Sequence, residues 1–408
     1  MNKKTAAVLT AVLIAVIAAA AVLGACTSAT VTLVLDGGIY NGSDENVVLS
    51  VSGGELDLGE YLPQKDGAQI SGWTDEDGNF YGAHSLITAT DGLTLTAVFE
   101  GVLEYTRVDG GYSVSATPGF KGVNVVIPAQ VDGIDVVEVA ENAFKDCTSI
   151  KTLLIPDSVK SIGRGALAGC TSLESLITPF AGASADITDQ SNMGMSYVFG
   201  LSGGSSWSDP YPALTAISVT DAATSIPQGA FENMENLQTV NLGANITSIG
   251  GSAFSGCTSL KKIVLPEKCV SIGAYAFRGC TAAEITVNGA ITQLGVSAFF
   301  SAGVIKQITL GEGLTVIPLN CFVGSGLEKI TFSSTVTMVQ SSAFRNCTHL
   351  TDVTVSSAVT LNSSAFSGCG RLENSGLHFS ANGKFVLAEG AENAFEGTKV
   401  DTDALFNA

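Results

Sequence analysis

Side chains that carry out chemistry are scarce in this sequence. Only 14% of its 408 residues are charged, and histidine occurs three times, as His84, His349 and His378. No Ser/His/Asp or Cys/His arrangement, glycine-rich phosphate loop or zinc-binding histidine motif is present. Paired carboxylates of the kind that glycosidases use stay open, because sequence spacing does not report distance in space. We therefore expect no enzyme, no cofactor and no metal site.

Basic residues are also few, and their scarcity excludes a class of partner. Lysine and arginine number 19 against 38 aspartate and glutamate residues, which gives a net charge of −19. Proteins that bind nucleic acid present a basic surface to the phosphate backbone. We therefore expect no nucleic-acid partner.

What the sequence does have is a repeat. An Ala-Phe step recurs, and its Phe landmarks from Phe231 to Phe366 are 22 or 23 residues apart. Around each landmark the sequence approximates I-G-x-x-A-F-x-x-C-x-x-L-x-x-I-x-I/L-P, as in Ser248–Lys268. A period of this length indicates a solenoid. The landmark positions are Phe144, Leu167 (in place of Phe), Phe231, Phe254, Phe277, Phe299, Phe322, Phe344, Phe366 and Phe395.

The periodicity within one unit predicts its local structure. The inward apolar residues Leu260, Ile263 and Leu265 are spaced at i, i+3 and i+5, and the final spacing of two residues is typical of a short strand. The glycine after Ile249 or Ile272 allows a turn that a Cβ would crowd, and Ala-Phe-x-x-Cys packs one large and two small side chains inward. A single unit buries too little apolar surface to offset the entropy of ordering its backbone, so the units must stack.

These motifs resemble the BspA-type leucine-rich repeat family. The resemblance covers about residues 101–408 and rests on stretches such as Ser158–Leu173 and Ser271–Thr281, with Cys where ordinary leucine-rich repeats carry an Asn ladder. It implies a non-catalytic bacterial surface protein that binds a host matrix or cell-surface protein, or another bacterium. Two alternatives stay open: an envelope spacer without a specific ligand, and a lipoprotein that captures glycans or peptides for uptake.

Residues 1–25 read as a lipoprotein signal peptide. Lys3 and Lys4 precede an uncharged apolar run from Thr5 to Val22, and Leu-Gly-Ala-Cys follows. This order is typical of an export signal and resembles a lipobox cleaved between Ala25 and Cys26, whose thiol takes the lipid. Acyl chains such as palmitate would then hold the protein to the cell membrane or outer membrane, exposed at the surface. The alternative is an uncleaved transmembrane anchor.

Residues 26–100 lack the repeat and predict a separate small β module. Val31–Leu35 and Leu93–Phe99 alternate as strands do. The order of strands and turns resembles the Listeria–Bacteroides, or internalin B-type, repeat, which implies a β-grasp-like fold. Asp75, Asp77 and Asn79 mimic the start of a calcium loop, but Phe80 and Leu86 stand where Gly and Glu are required, which favours a β-turn.

The fold class is therefore mainly β with short helical turns: a leucine-rich-repeat solenoid preceded by a small β-grasp-like domain. We predict a capping segment at 101–143 and repeats at 144–408, which end in a C-terminal cap. An insert at about 174–213 is interpreted as a surface loop that bulges from one coil, or alternatively as a binding loop.

Six of the nine cysteines share one repeat position. Stacked coils would bring 147/170, 257/280 and 347/369 within range of a disulfide. However, a stacked column points its Cβ atoms in parallel, which favours buried free thiols. The six are Cys147, Cys170, Cys257, Cys280, Cys347 and Cys369.

The outer side of the strands is the candidate binding face. The two residues after the first inward Leu or Ile of each unit should point outward, and Lys261 and Lys262 occupy these positions in one unit. Five of the 17 lysine and arginine residues beyond residue 25 fall there. The alternative is a row of ordinary solvated strand positions. The candidate residues are Lys151, Gln238, Lys261, Lys262, Lys306, Gln307, Lys329 and Asp352.

Overall fold

The computed structural model describes residues 28–65, 69–100, 103–117, 120–185, 194–201 and 210–406. They divide into two compact units, one of residues up to 104 with 117–125 and one of residues 105–116 with 126–408. The predicted signal peptide and Cys26 lie outside the described residues, and so do parts of the predicted insert.

Seven strands and a short 3-10 helix make up the first unit as far as residue 100. The alternation predicted for residues 31–35 is present, because Val31 and Leu33 are buried while Thr30 is exposed. The helix covers Leu58–Glu60. The strands are β1 Ala29–Val34, β2 Val47–Val51, β3 Glu55–Asp57, β4 Gln69–Thr74, β5 Phe80–Gly82, β6 Leu86–Thr88 and β7 Leu93–Glu100.

Five of these strands form one sheet in the order β2-β1-β7-β4-β5. The central pair β1 and β7 is parallel, and the flanking pairs β1–β2, β4–β7 and β4–β5 are antiparallel. Trp73, Leu33 and Leu95 are fully buried in its core. This strand order with a parallel centre confirms the predicted β-grasp-like domain.

The Asp75 loop is a turn. Gly78 N donates to Asp75 O, which closes a β-turn. The Asp75 carboxylate accepts hydrogen bonds from Asn79 Nδ2 and from Tyr81 Oη. The hydrogen bonds from Asn79 hold the pKa of Asp75 below its usual value. The interpretation as a β-turn is confirmed.

The second unit consists of short strands joined by turns. The second unit shares two strands, β8 and β10, with the first unit, because each has residues assigned to both. Its helices are α1 Met195–Val198 and α2 Thr402–Phe406, with a 3-10 helix at Asn374–Gly376. The strands are β8 Leu103–Val108, β9 Gly111–Ala116, β10 Asn124–Val126, β11 Gln130–Val131, β12 Ile134–Val139, β13 Thr152–Leu154, β14 Ser161–Ile162, β15 Ser175–Thr178, β16 Ala216–Val219, β17 Ser225–Ile226, β18 Thr239–Leu242, β19 Ser248–Ile249, β20 Lys262–Leu265, β21 Ser271–Ile272, β22 Glu284–Ile291, β23 Gln293–Leu294, β24 Val304–Leu310, β25 Val316–Ile317, β26 Gly326–Leu327, β27 Lys329–Thr331, β28 Met338–Val339, β29 Asp352–Val355, β30 Ala358–Leu361, β31 Leu377–Phe379 and β32 Lys384–Leu387.

Each repeat forms one coil that contributes to two parallel sheets. In the first sheet the strands follow chain order, β13-β15-β16-β18-β20-β22-β24-β26, and β27-β29-β31 continue this side of the coils as a separate sheet. In the second set, two- to four-residue strands stack as β17-β19-β21-β23 and β25-β28-β30-β32. Within each of these sheets, adjacent strands come from successive coils and are hydrogen-bonded in parallel, which is the solenoid predicted from the repeat.

The Phe landmarks form a continuous column of rings. From Phe231 to Phe395, consecutive rings are 4.9–5.3 Å apart between centroids and lie within 21° of parallel. All but Phe395 in this column are fully buried. Since each ring covers the next, adding a coil buries apolar surface that no coil can bury alone.

The repeat cysteines form a second column beside the rings. Each of five thiols donates to the carbonyl oxygen of the Phe in the preceding coil, for example Cys257 Sγ to Phe231 O at 3.1 Å and Cys280 Sγ to Phe254 O at 3.0 Å. The same contact is made by Cys170, Cys347 and Cys369. The thiol therefore satisfies a buried backbone acceptor, as the Asn of an ordinary leucine-rich repeat ladder would.

All eight cysteines of the described chain are free and buried, which confirms the prediction of buried thiols over disulfides. Burial raises the pKa of Cys170 and of Cys280 to about 12 and that of Cys269 to about 11. A raised pKa keeps each thiol protonated at neutral pH, and the thiolate is the reactive form. These thiols are therefore structural.

The predicted insert is not a loop that bulges from one coil. Its first residues form β15, which pairs with β13 and β16 in the first sheet. Phe231 N donates to the carbonyl oxygen of Ala253, the residue just before the next landmark, Phe254. Leu167 N donates in the same way to the carbonyl oxygen of Val198, just before Phe199. Phe199 therefore takes the landmark position of an extra coil. Phe199 is buried against Tyr211 at a centroid distance of 4.7 Å. The interpretation as a bulging loop is wrong for the described part of this segment.

Candidate functional site

The outer side of the first sheet is positioned by strict alternation. In β20, Ile263 and Leu265 point into the core and are fully buried, so Lys262 and Val264 point outward. The equivalent outward positions of the preceding strands carry small polar side chains such as Ser218 and Asn241, which are hydrogen-bonded to each other at 3.0 Å. The outer side therefore changes character along the coils.

Three of the predicted lysines are engaged by the neighbouring coil. Nζ of Lys151 lies 3.2 Å from Glu174 Oε1, Nζ of Lys306 lies 3.7 Å from Glu284 Oε1, and Nζ of Lys329 lies 3.4 Å from Asp352 Oδ2. These lysines are more than half exposed, so each pair adds little to stability. The pairs nevertheless neutralise most of the positive charge expected on this face.

Asp352 is the centre of the largest charge cluster on the face. Its carboxylate accepts a hydrogen bond from Thr351 Oγ1 at 2.6 Å and lies 3.3 Å from His378 Nε2. The bond from Thr351, followed by those from His378 and Lys329, holds the pKa of Asp352 below its usual value. Asp352 is thus committed to contacts between coils and offers little to a ligand.

Lys261 and Lys262 differ from the other lysines of the face. Within the described ranges neither forms an ion pair, and both are exposed. Val264, in the same strand, is 39% exposed, and Val304, whose strand follows β22 in the sheet, is 36% exposed. Gln238 lies one coil earlier and is half-buried. We call Gln238, Lys261, Lys262, Val264 and Val304 the lysine–valine face.

The two valines were missed in the sequence, where only the polar outward residues were considered. The sequence signal for Val264 is the run Ile263-Val264-Leu265. Its middle residue points outward between two inward residues, yet it is apolar. An exposed β-branched residue there gains nothing from the core, so it is available to a ligand.

The structure corrects the register of Lys306 and Gln307. Both are exposed, as predicted, but they do not lie level with Lys261 and Lys262. Lys262 pairs with Glu284, which is 22 residues on, whereas Glu284 pairs with Val304, only 20 residues on. The register then shifts between Ile285 and Thr286, and Thr286 pairs with Gln307. A bulge at Lys306 therefore places Val304 level with Lys262.

Neither a cluster of metal ligands nor a long apolar helix is found in the described part of the chain. Its His, Cys, Asp and Glu side chains form no group of three that would hold a metal ion. None of its helices has the length and hydropathy needed to cross a bilayer. What the first sheet presents is a surface of exposed lysine and valine side chains.

The sequence profile of the family described as "BspA type Leucine rich repeat region" matches residues 124–188, 210–322 and 271–382, in six copies. These ranges cover more than half of the chain. The chain belongs to the BspA-type leucine-rich repeat family. The membership accounts for the Phe and Cys columns, and this family indicates a role in interaction with other proteins.

Several solved leucine-rich repeat or leucine-rich proteins are similar to this chain. A leucine-rich repeat protein from Bacteroides ovatus is 21% identical, with 74% of this chain and 80% of that chain covered and a TM-score of 0.40. One from T. pallidum is 23% identical, with 67% and 89% covered and a TM-score of 0.30. A leucine-rich cell surface protein from Faecalibacterium prausnitzii is 20% identical, with 72% and 96% covered and a TM-score of 0.29. No curated protein matches the chain.

Proposed function

We propose that this BspA-type protein is a non-catalytic binding protein of the bacterial surface, whose lysine–valine face holds a protein ligand. The observation that supports it is that Lys261 and Lys262 have no ion partner among the described residues and lie beside the exposed Val264, with the exposed Val304 two strands further on, beyond Glu284. In a chain of net charge −19, such lysines attract acidic partners, and the valines supply apolar contact. A host matrix protein or a protein on another cell is the ligand class that the family suggests.

Attachment through a lipid on Cys26 is part of the same proposal. It is supported by the basic start, the apolar run and the Leu-Gly-Ala-Cys sequence at residues 23–26. A lipid anchor would keep the solenoid outside the cytoplasm, where a protein ligand is reached.

Intact mass spectrometry of the protein extracted from membranes tests this attachment. The expected mass is that of residues 26–408 with acyl groups added, and it should not change on reduction because the buried thiols are free. A full-length mass without acyl groups would instead support the uncleaved transmembrane anchor, and a mass increase on reduction would contradict the thiol column.

Charge reversal tests the lysine–valine face. Binding of the protein to immobilised matrix proteins should fall at least tenfold in the double variant Lys261→Glu, Lys262→Glu, because both side chains would then repel an acidic ligand. The melting temperature should fall by no more than about 4 °C, since neither lysine has an ion partner among the described residues and the only new contact is a glutamate at position 262 opposite Glu284. Surface plasmon resonance and thermal unfolding measure the two effects.

The matched control is the double variant Lys145→Glu, Lys160→Glu, which changes the net charge equally at exposed positions away from this face. It should bind as the wild type does. Equal losses in both variants would show that net charge alone governs binding and would remove the face from consideration.

An envelope spacer is the second candidate. The observation that favours it is that three of the five lysines on the face are occupied by carboxylates of adjacent coils. A glycan array and a pull-down with matrix proteins separate the candidates. Capture of a matrix protein supports adhesion, a glycan supports uptake, and neither supports the spacer.

A further inference from the structure

The turns that carry the Ala-Phe steps form a surface of their own, on a different side of the coils from the lysine–valine face. In six consecutive coils these turns contain no aspartate or glutamate, although the chain has 38 of them. The adjoining turns at both ends are acidic, with Glu232 and Glu235 before and Glu392 and Glu396 after. We call the six segments the turn face; they are residues 250–259, 273–282, 295–303, 318–326, 340–349 and 362–371.

Tyr275 stands out among the residues that adopt a left-handed conformation two places before a landmark, since in the other coils these are Asn, Gly or Ser. Its φ is 59°, in the left-handed region, which is an uncommon conformation for a bulky side chain. The equivalent residues are Asn142, Gly165, Gly229, Ser252, Ser297, Asn320, Ser342 and Ser364. Tyr275 is also 41% exposed, so its ring does not serve the core. A strained, exposed aromatic residue indicates a use outside the fold.

Arg278 lies between two aromatic rings on this face. Its guanidinium carbon is 5.7 Å from the centroid of Tyr275 and 5.9 Å from that of Phe300, which belongs to the next coil. Arg278 forms no ion pair within the described ranges, and neither does Arg345 three coils further on. The rings fix the guanidinium of Arg278, while its hydrogen-bond donors stay available.

We propose that the turn face docks an acidic segment of a partner protein. Arg278 and Arg345 would receive its carboxylates, and Tyr275, Phe300 and Leu319, which is 40% exposed, would pack against its apolar side chains. Charge complementarity supports this occupant, because the face has arginines and no carboxylates in a strongly acidic chain. Tyrosine, phenylalanine and arginine are also the residues most enriched at protein interfaces.

This docking surface is independent of the lysine–valine face. A protein with both could hold one partner on its strands and a second on its turns, each within reach of the same anchored chain. The two faces share none of their residues, so their variants report on each proposal separately.

A fluorescent peptide of the sequence (Glu-Leu-Asp-Phe)₃ is the probe, with (Gln-Leu-Asn-Phe)₃ as its uncharged match. Fluorescence anisotropy with the full-length protein should give an affinity for the acidic peptide at least tenfold above that for the uncharged one. The double variant Tyr275→Ser, Arg278→Ser should lower the affinity at least tenfold. It installs the residues of the preceding coil, Ser252 and Ser255, and is therefore expected to fold.

The Lys145→Glu, Lys160→Glu variant, whose exposed residues belong to neither face, is the control and should bind the acidic peptide as the wild type does. Equal binding of the two peptides, or unchanged binding by Tyr275→Ser, Arg278→Ser, would overturn the proposal. Analytical ultracentrifugation of the wild type checks for self-association: a dimer that the same double variant dissociates would assign the face to a second copy of the chain and also overturn it.

Discussion

Replacement of Phe277 by Ala is expected to lower the free energy of unfolding by about 3–5 kcal/mol. The Phe277 ring is fully buried. It lies between the rings of Phe254 and Phe299, at centroid distances of 5.2 and 5.3 Å. Its removal leaves a cavity and uncovers both neighbouring rings, so two interfaces between coils weaken at once. Urea denaturation followed by circular dichroism measures the loss.

Tyr275→Ala is the matched control, because it removes an aromatic ring from the same turn at a position that is 41% exposed. Its effect should stay within about 1 kcal/mol, as is usual for surface positions. If both variants lost the same free energy, the ring column would not be the main stabilising element of the solenoid.

Gly273→Ala is expected to be the second most damaging change, at about 1–3 kcal/mol. A Cβ on Gly273 would lie 2.5 Å from Gly251 N and 2.7 Å from Gly250 C, in the backbone of the preceding coil. Since backbone atoms cannot rotate away as a side chain can, the two coils would have to separate. Thermal unfolding of the variant measures the cost.

The control for this change is Gly370→Ala, whose added Cβ would meet nothing nearer than Gly397 O at 3.9 Å. Its melting temperature should stay close to that of the wild type. Comparable losses at both sites would mean that glycine acts through backbone flexibility and that the approach of the coils is unimportant.

The glycine also shows what a sequence can and cannot predict. The position of Gly273 in the repeat predicted that a Cβ would be crowded there. The reason was wrong, because Gly273 is not in the left-handed region and the crowding comes from the preceding coil. Pro227 and Gln340 hold the same place after Ile226 and Val339, so this repeat position does not require glycine in every coil.

The Phe and Cys columns could be predicted because each is made by one residue type at one repeat position. The extra coil at Phe199 could not, since this landmark lies 32 residues from both Leu167 and Phe231 rather than 22 or 23. The Tyr197-Val-Phe-Gly stretch was its one sequence signal. A coil of unusual length keeps its place through hydrogen bonds to its neighbours, which a search for a fixed period does not detect.

Only part of the candidate site could be predicted, because the sequence gives the direction of a side chain but not the register between strands. The outward direction of Lys262, Lys306 and Lys329 follows from alternation along each strand, whereas Lys261 lies just before β20, and all four are exposed. Which lysines meet a carboxylate depends on the register between strands, and that register changes by two residues between β20–β22 and β22–β24. The ion pairs of Lys306 and Lys329, and hence the distinct character of Lys261 and Lys262, required the structure.

Hydrogen–deuterium exchange of the full-length protein, with and without a captured matrix protein, tests the central claim most directly. The claim is that coils held together by a shared core present a surface that binds a partner protein and does not catalyse a reaction on it. Ligand should slow exchange in peptides that contain Gln238–Leu242 and Lys261–Leu265, while the fully buried Phe column stays protected in both states. Slowing confined to residues 28–100, with none in the coils, would contradict the claim.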